Sequence, residues 1–311
     1  MTIFRRQKLV ATIGLFALLC VQPSLLAAQQ PTTPIDRQKY QQAVALFRAA
    51  NAVPETASDD ERRAAIKKFT GAADIFHSIG SRAEEANSLN AAANVHDDLI
   101  EKPEALHLYL RVADILGEID DHENLAITLN RIGSLYLHGG LNAKALQYLN
   151  VALAFRRELK DLQGEAFTLT LIGNTYDALG EKPKALAALR EAIVIQKRIG
   201  DKAGEIITQG DLGVVYSSIG ENQKAVECVA QALKLARESG DREGEAAALH
   251  NLAAIYDDLG DTAAALDYYD QALKIILTLK KRELEGNTLN NIGVIYLGNG
   301  DLAKARDFLY R

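Results

Sequence analysis

The chain has 311 residues, 48% hydrophobic and 24% charged, with a formal net charge of −6. That acidic balance, with its signs interspersed, lacks the basic stripe that phosphate contacts need and argues against a nucleic-acid binder. Only two cysteines are present, Cys20 and Cys228, and there is no tryptophan.

Residues 1–28 have the form of a secretory signal peptide. Arg5, Arg6 and Lys8 precede an uncharged run from Leu9 to Val21, and Leu26-Ala27-Ala28 supplies small residues for cleavage before Gln29. The run is shorter than the roughly twenty residues that span a bilayer. The expectation is export, to the periplasm or the outside, with membrane contact only if Leu9–Ala28 stays uncleaved as an anchor. Leu18-Leu19 makes a poor lipidation signal ahead of Cys20. Cleavage removes three positive and no negative charges, taking the net from −6 to −9, and leaves Cys228 without a partner for an internal disulfide.

Residues 29–80 read as a degenerate helical pair. Ile35–Asn51 supplies a first helix, a longer loop passes through Pro54, and Ala65, Ile66, Phe69, Ala72, Ala73 and Phe76 form the apolar stripe of a second.

From Ser81 a forty-residue period takes over, with copies beginning at Ser81, Asp121, Asp161, Asp201, Asp241 and Lys281. The thirteenth column reads Ala93, Gly133, Gly173, Gly213, Ala253, Gly293. The sixteenth reads His96, Tyr136, Tyr176, Tyr216, Tyr256, Tyr296, and the twenty-fifth is alanine throughout. Within a copy the apolar positions recur every three or four residues, twice, with a break between, so each copy is a helical hairpin. Gly260-Asp261 and Gly300-Asp301 mark the break. Glycine takes the left-handed conformation after the last turn, and aspartate caps the next helix. Gly180-Glu181 and Gly220-Glu221 are expected to repeat the device. A fixed period of this size means a solenoid, whose units bury their apolar faces only against neighbours.

The spacing Leu249, Leu252, Ala253, Tyr256, Ala265, Tyr269, Ala272 resembles the tetratricopeptide repeat, as do Leu129 to Ala152 and Leu169 to Ala192. The forty-residue length is similar to the repeats of kinesin light chains and of arrays ahead of bacterial CHAT (caspase-like) domains. The resemblance implies an all-α, right-handed superhelical solenoid of antiparallel helix pairs over residues 81–311, in five full copies and one truncated copy. Leucine replaces the family's tryptophan. Arg311 falls inside the second helix of its copy, so a longer protein is expected.

Chemistry finds no purchase. The six histidines form no H-E-x-x-H or recurring ligand spacing, and Cys228 shares its column with Leu108, Tyr148 and Phe308, as a packing residue would. No enzyme, cofactor or metal site is expected.

The resemblance places a ligand groove on the concave face lined by first helices. There the tenth column reads Asn90, Asn130, Thr170, Gly210, His250, Asn290, and the fourteenth Asn94, Ser134, Asn174, Val214, Ala254, Val294. Asparagine carries two donors and an acceptor, so a ladder of them can pair with an extended peptide backbone. The candidate peptide-binding residues are therefore Asn90, Asn94, Asn130, Arg131, Thr170, Asn174, His250 and Asn290. Asp97, Asp98, Asp177, Asp257 and Asp258 would favour basic or neutral peptides. The expected function is a non-catalytic protein–protein interaction scaffold with an unidentified protein or peptide partner. Two alternatives are a recruiting or sensory arm of a longer enzyme, such as a CHAT-domain peptidase, and a structural protein that self-associates at its C-terminal end.

Overall fold

The computed structural model describes residues 33–310. The proposed signal segment, Cys20, the start of the degenerate copy and Arg311 lie outside them. The described residues form an all-α repeat solenoid of fourteen helices, in pairs. The degenerate pair is α1 (Pro34–Asn51) and α2 (Asp59–Ser78). Five full copies follow: α3 (Arg82–Asp98) with α4 (Lys102–Glu118), α5 (His122–His138) with α6 (Asn142–Glu158), α7 (Leu162–Ala178) with α8 (Lys182–Ile199), α9 (Lys202–Ser218) with α10 (Asn222–Ser239), and α11 (Arg242–Asp258) with α12 (Thr262–Leu279). The last copy holds α13 (Arg282–Gly298) and α14 (Leu302–Leu309). The chain divides into two compact units, 33–164 and 165–310 among the described residues.

The glycine stops behave as the sequence implies. Gly180, Gly220, Gly260 and Gly300 end first helices at φ of 78 to 81°, and Gly200 and Gly240 end second helices at 72 and 74°. Four helix ends, in three copies, place a side chain in this left-handed position instead, at Ile100, Asp120, Lys160 and Lys280. The caps divide by residue type. Asp201, Asp241, Asp261 and Asp301 each accept the third backbone N–H of the following helix, at 2.9–3.1 Å. Glu181 and Glu221 do not cap, contrary to the expectation. Their extra methylene carries the carboxylate past the N–H groups, and each pairs with the lysine three residues on, Lys184 or Lys224.

Each hairpin closes where the thirteenth column meets the twenty-ninth. Leu149, Leu189 and Val229 lie fully buried across from Gly133, Gly173 and Gly213, and a Cβ on those glycines would stand 2.3–2.6 Å from the facing side chain. The tyrosine column packs one position aside. Tyr136 and Tyr256 stack on Tyr148 and Tyr268 at 5.4 and 5.3 Å, and Tyr296 stacks on Phe308 at 5.6 Å. Tyr216 has Cys228 in that row, and the thiol is half-buried within the apolar core, which pushes its pKa up. In the degenerate pair, edge-on contacts of Tyr40 with Phe76 and Phe47 with Phe69 take over this role.

Within each unit, successive copies are also joined by glutamates of the fifth column. Glu85 is fully buried and takes Arg82 at 2.6 Å, Arg111 at 2.8 Å and His77 at 2.9 Å. Burial opposes its charge, but these partners together hold the carboxyl below the usual range. Glu245 takes Arg237 at 2.9 Å and Arg242, and Glu205 takes Lys197 at 3.5 Å.

Candidate functional site

The face to consider is the one presented by first helices, since second helices bury their alanine columns against them. In unit 33–164 it carries Asn90 and Asn94 from α3 and Asn130 and Arg131 from α5. Asn90, Asn94 and Arg131 are half-buried, whereas Asn130 is buried. The Tyr109 hydroxyl of α4 donates to Asn94 Oδ1 at 2.6 Å, which leaves the amide N–H groups of Asn94 for another partner. Arg131 lies over the Tyr109 ring, 5.8 Å from its centre, and donates to its hydroxyl at 3.4 Å. Burial pushes the Tyr109 pKa up to about 12, so the hydroxyl stays a donor. Asp98 pairs with Arg62 at 3.1 Å and Asp97 with Lys102 at 2.6 Å. Burial raises the Asp98 pKa, with Arg62 and Arg131 acting against it.

In unit 165–310 the expected groove residues separate into two sets. Asn174 is half-buried and Asn290 exposed. Thr170 and His250 are not on the open face at all. The Thr170 hydroxyl sits 2.9 Å from that of Thr208 on the next first helix and 3.1 Å from the Ala166 carbonyl. His250 is held edge-on to Tyr269, with Nδ1 3.1 Å from the Thr288 hydroxyl and Nε2 3.3 Å from the Asn291 amide. Burial lowers its pKa to about 4. Gly210 occupies the same column against Asn251, whose amide would lie 3.4 Å from an added Cβ. The tenth column therefore meets the following first helix and serves repeat-to-repeat packing at these three positions. The physical reason is the close approach of successive first helices, which a single helix's periodicity does not show.

One residue absent from the sequence-based set stands out. Asp211, in the eleventh column, is only 7% exposed and accepts from Asn174 Nδ2 at 2.8 Å. Burial pushes its carboxyl up to about 7, with Asn174 acting downwards and Asp177 upwards. Its signal was an acid in a column otherwise read as Ala91, Arg131, Leu171, Asn251 and Asn291, next to the core position Leu212.

Among the described residues no group of three His, Cys, Asp or Glu side chains is placed to hold a metal ion, and no helix is long and apolar enough to cross a membrane.

Comparison with known families settles what these hairpins are. The tetratricopeptide repeat model matches residues 124–198, 164–238, 204–278 and 245–311 in overlapping register. The chain belongs to the tetratricopeptide repeat family. As a tetratricopeptide repeat chain it is built as a protein–protein interaction scaffold. No curated protein sequence matches it. Solved structures share the fold at low identity. The nearly identical repeats of a Podosopora anserina protein described as a kinesin light chain are 19% identical, cover 63% of this chain and 96% of theirs, and superpose with a TM-score of 0.52. A Rap protein in complex with Competence and Sporulation Factor is 16% identical, covering 88% and 85%, with a TM-score of 0.65. NprR in complex with its cognate peptide NprX is 15% identical, covering 93% and 80%, with a TM-score of 0.59.

Proposed function

We propose that this tetratricopeptide repeat chain is a non-catalytic scaffold whose first-helix face binds an extended peptide segment. The observation that carries this reading is the accessible amides on first helices of each unit: Asn90 and Asn94, with half-buried Arg131, in 33–164, and Asn174 and Asn290 in 165–310. Asn94 in the first unit keeps its N–H groups and Asn174 in the second keeps its carbonyl, and each is a group that can pair with a peptide backbone. Two structures of similar fold, the Rap protein and NprR, were solved with a peptide or factor bound, which supports the same use of the fold here. Asn130, Thr170 and His250 act in this reading as supports that hold neighbouring helices, since they are buried.

The test is selection from a displayed pool of random dodecapeptides on the full chain. Enriched peptides should bind a triple variant, Asn94→Ala with Asn174→Ala and Asn290→Ala, at least tenfold more weakly while its helical circular dichroism is unchanged. Equal binding to both proteins would remove the first-helix face from consideration.

The place of action proposed is outside the cytoplasm, supported by the basic, apolar and small-residue order of residues 1–28. Mass analysis of the mature N-terminus after expression with the native leader checks it; a chain beginning at Met1 in the cytoplasmic fraction is the contrary result.

A further inference from the structure

A buried carboxylate needs a counter-charge or several donors, because the low-dielectric surroundings give no other compensation. Glu85, Glu205 and Glu245 obey this with arginine, lysine or histidine partners. Glu84, buried without an ion pair, accepts the Tyr40 hydroxyl at 3.3 Å and sits in the first turn of α3, where the helix dipole favours an acid. Asp211 has neither arrangement. It lies in the middle of α9, 7% exposed, and its one hydrogen bond comes from the Asn174 amide. Among the described residues no lysine, arginine or histidine forms an ion pair with it. Arg190, on α8, is committed to Tyr216, lying over that ring at 5.7 Å and donating to its hydroxyl. The charge that acts on Asp211 is another acid, Asp177 of α7.

Counting donors and acceptors sharpens this. Asn174 gives one N–H to Asp211, so what the pair retains is the Asn174 carbonyl, its second N–H and the other Asp211 oxygen. The charge at the spot is carried by an acceptor. The same two columns in unit 33–164 offer the reverse, the N–H groups of Asn94 and the Arg131 guanidinium, and there Asp98 supplies the balancing charge.

We infer that the Asn174–Asp211 pair is a subsite for a cationic group, the ammonium of a lysine or the guanidinium of an arginine carried by a bound peptide. The inference rests on the peptide-binding reading of the first-helix face and names the side chain that the face selects. A cation entering here gains a charge-assisted bond from Asp211 and a second acceptor from Asn174, and it supplies the kind of pairing that Glu85, Glu205 and Glu245 already have.

The experiment uses the dodecapeptide pool on the full chain at pH 8, in parallel with Asp211→Asn. Peptides selected by the wild-type chain should share a lysine or arginine at one position. Replacing that residue with norleucine or citrulline should weaken binding at least tenfold on the wild type and by less than twofold on Asp211→Asn. Selected peptides with no shared basic residue, or an equal loss on both proteins, would overturn the subsite while leaving the first-helix face as a peptide site. Recovery of no peptide by either protein would overturn both. Should Asp211→Asn fail to fold, the charged-against-neutral comparison on the wild type decides the question alone, a loss below twofold rejecting it.

Discussion

A Cβ placed on Gly173 would stand 2.6 Å from Cγ of Leu189, well inside the closest approach of real carbon atoms. The same pairing of glycine with a branched aliphatic recurs at Gly133 with Leu149 and Gly213 with Val229. Where the thirteenth column is alanine, at Ala93 and Ala253, the facing residue is Tyr109 or Tyr269. Leucine branches at Cγ and leaves no room for a methyl, whereas a flat ring lies alongside one. Gly173→Ala should therefore destabilise by about 1–3 kcal/mol through overpacking, and Leu189→Tyr added to it should recover part of the loss. Denaturant midpoints of the single and double variants measure the coupling; strict additivity would contradict it.

Lys280 holds φ of 55° at a position that three other helix ends give to glycine, Gly80, Gly200 and Gly240. A side chain costs about 1–2 kcal/mol in that conformation, and glycine's greater freedom when unfolded takes back part of the gain. Lys280→Gly should raise stability by about 0.5–1 kcal/mol, read from thermal unfolding. A fall would show that the lysine's own contacts outweigh its backbone strain.

Glu221 stands at a helix N-cap without bonding to the helix, whereas Asp261 and Asp301 in the equivalent loops do bond. Shortening it, as Glu221→Asp, should create the missing cap and add about 0.5–1 kcal/mol. The exposed pair with Lys224 that it gives up is worth less. The converse change, Asp201→Ala, should cost about 1 kcal/mol.

Asp211 and His250 make stability depend on pH in opposite directions. The Asp211 carboxyl is pushed from 3.8 up to about 7, so the folded chain keeps a proton that the unfolded chain releases. That contribution is complete below about 4 and is lost as pH rises through 7. His250 is lowered from 6.5 to about 4, so the unfolded chain takes up a proton that the folded one refuses. Its contribution is complete above 6.5 and is lost as pH falls through 4. Asp211→Asn should stabilise at pH 8, on the order of 1–4 kcal/mol, with little effect at pH 4. His250→Gln should flatten the loss between pH 6 and pH 4. Urea midpoints at pH 4, 6 and 8 test both signs.

The hairpins were readable from the sequence because the quantities that make them are local. A stripe every three or four residues, a glycine stop and an aspartate cap all act within one copy. Tyr136 and Tyr216 are buried in their columns as the period implied, with Tyr176 and Tyr256 packed against the core that holds Tyr216. Burial between copies was not readable. Thr170 and His250 looked like groove residues because both are polar on a first helix, yet Thr208 and Thr288 of the next first helix cover them. Asp211 escaped notice for the same reason: its burial comes from neighbours forty residues away in the chain.

The matched columns also constrain how such an array can grow. A crossover inside a hairpin would join the front of one copy to the back of another. Joining Gly133 to a partner like Tyr269 would leave a hole, and joining Ala253 to one like Leu149 would force a collision. Duplication and shuffling should therefore proceed in whole hairpins, with break points falling at the Gly200-Asp201 and Gly240-Asp241 boundaries.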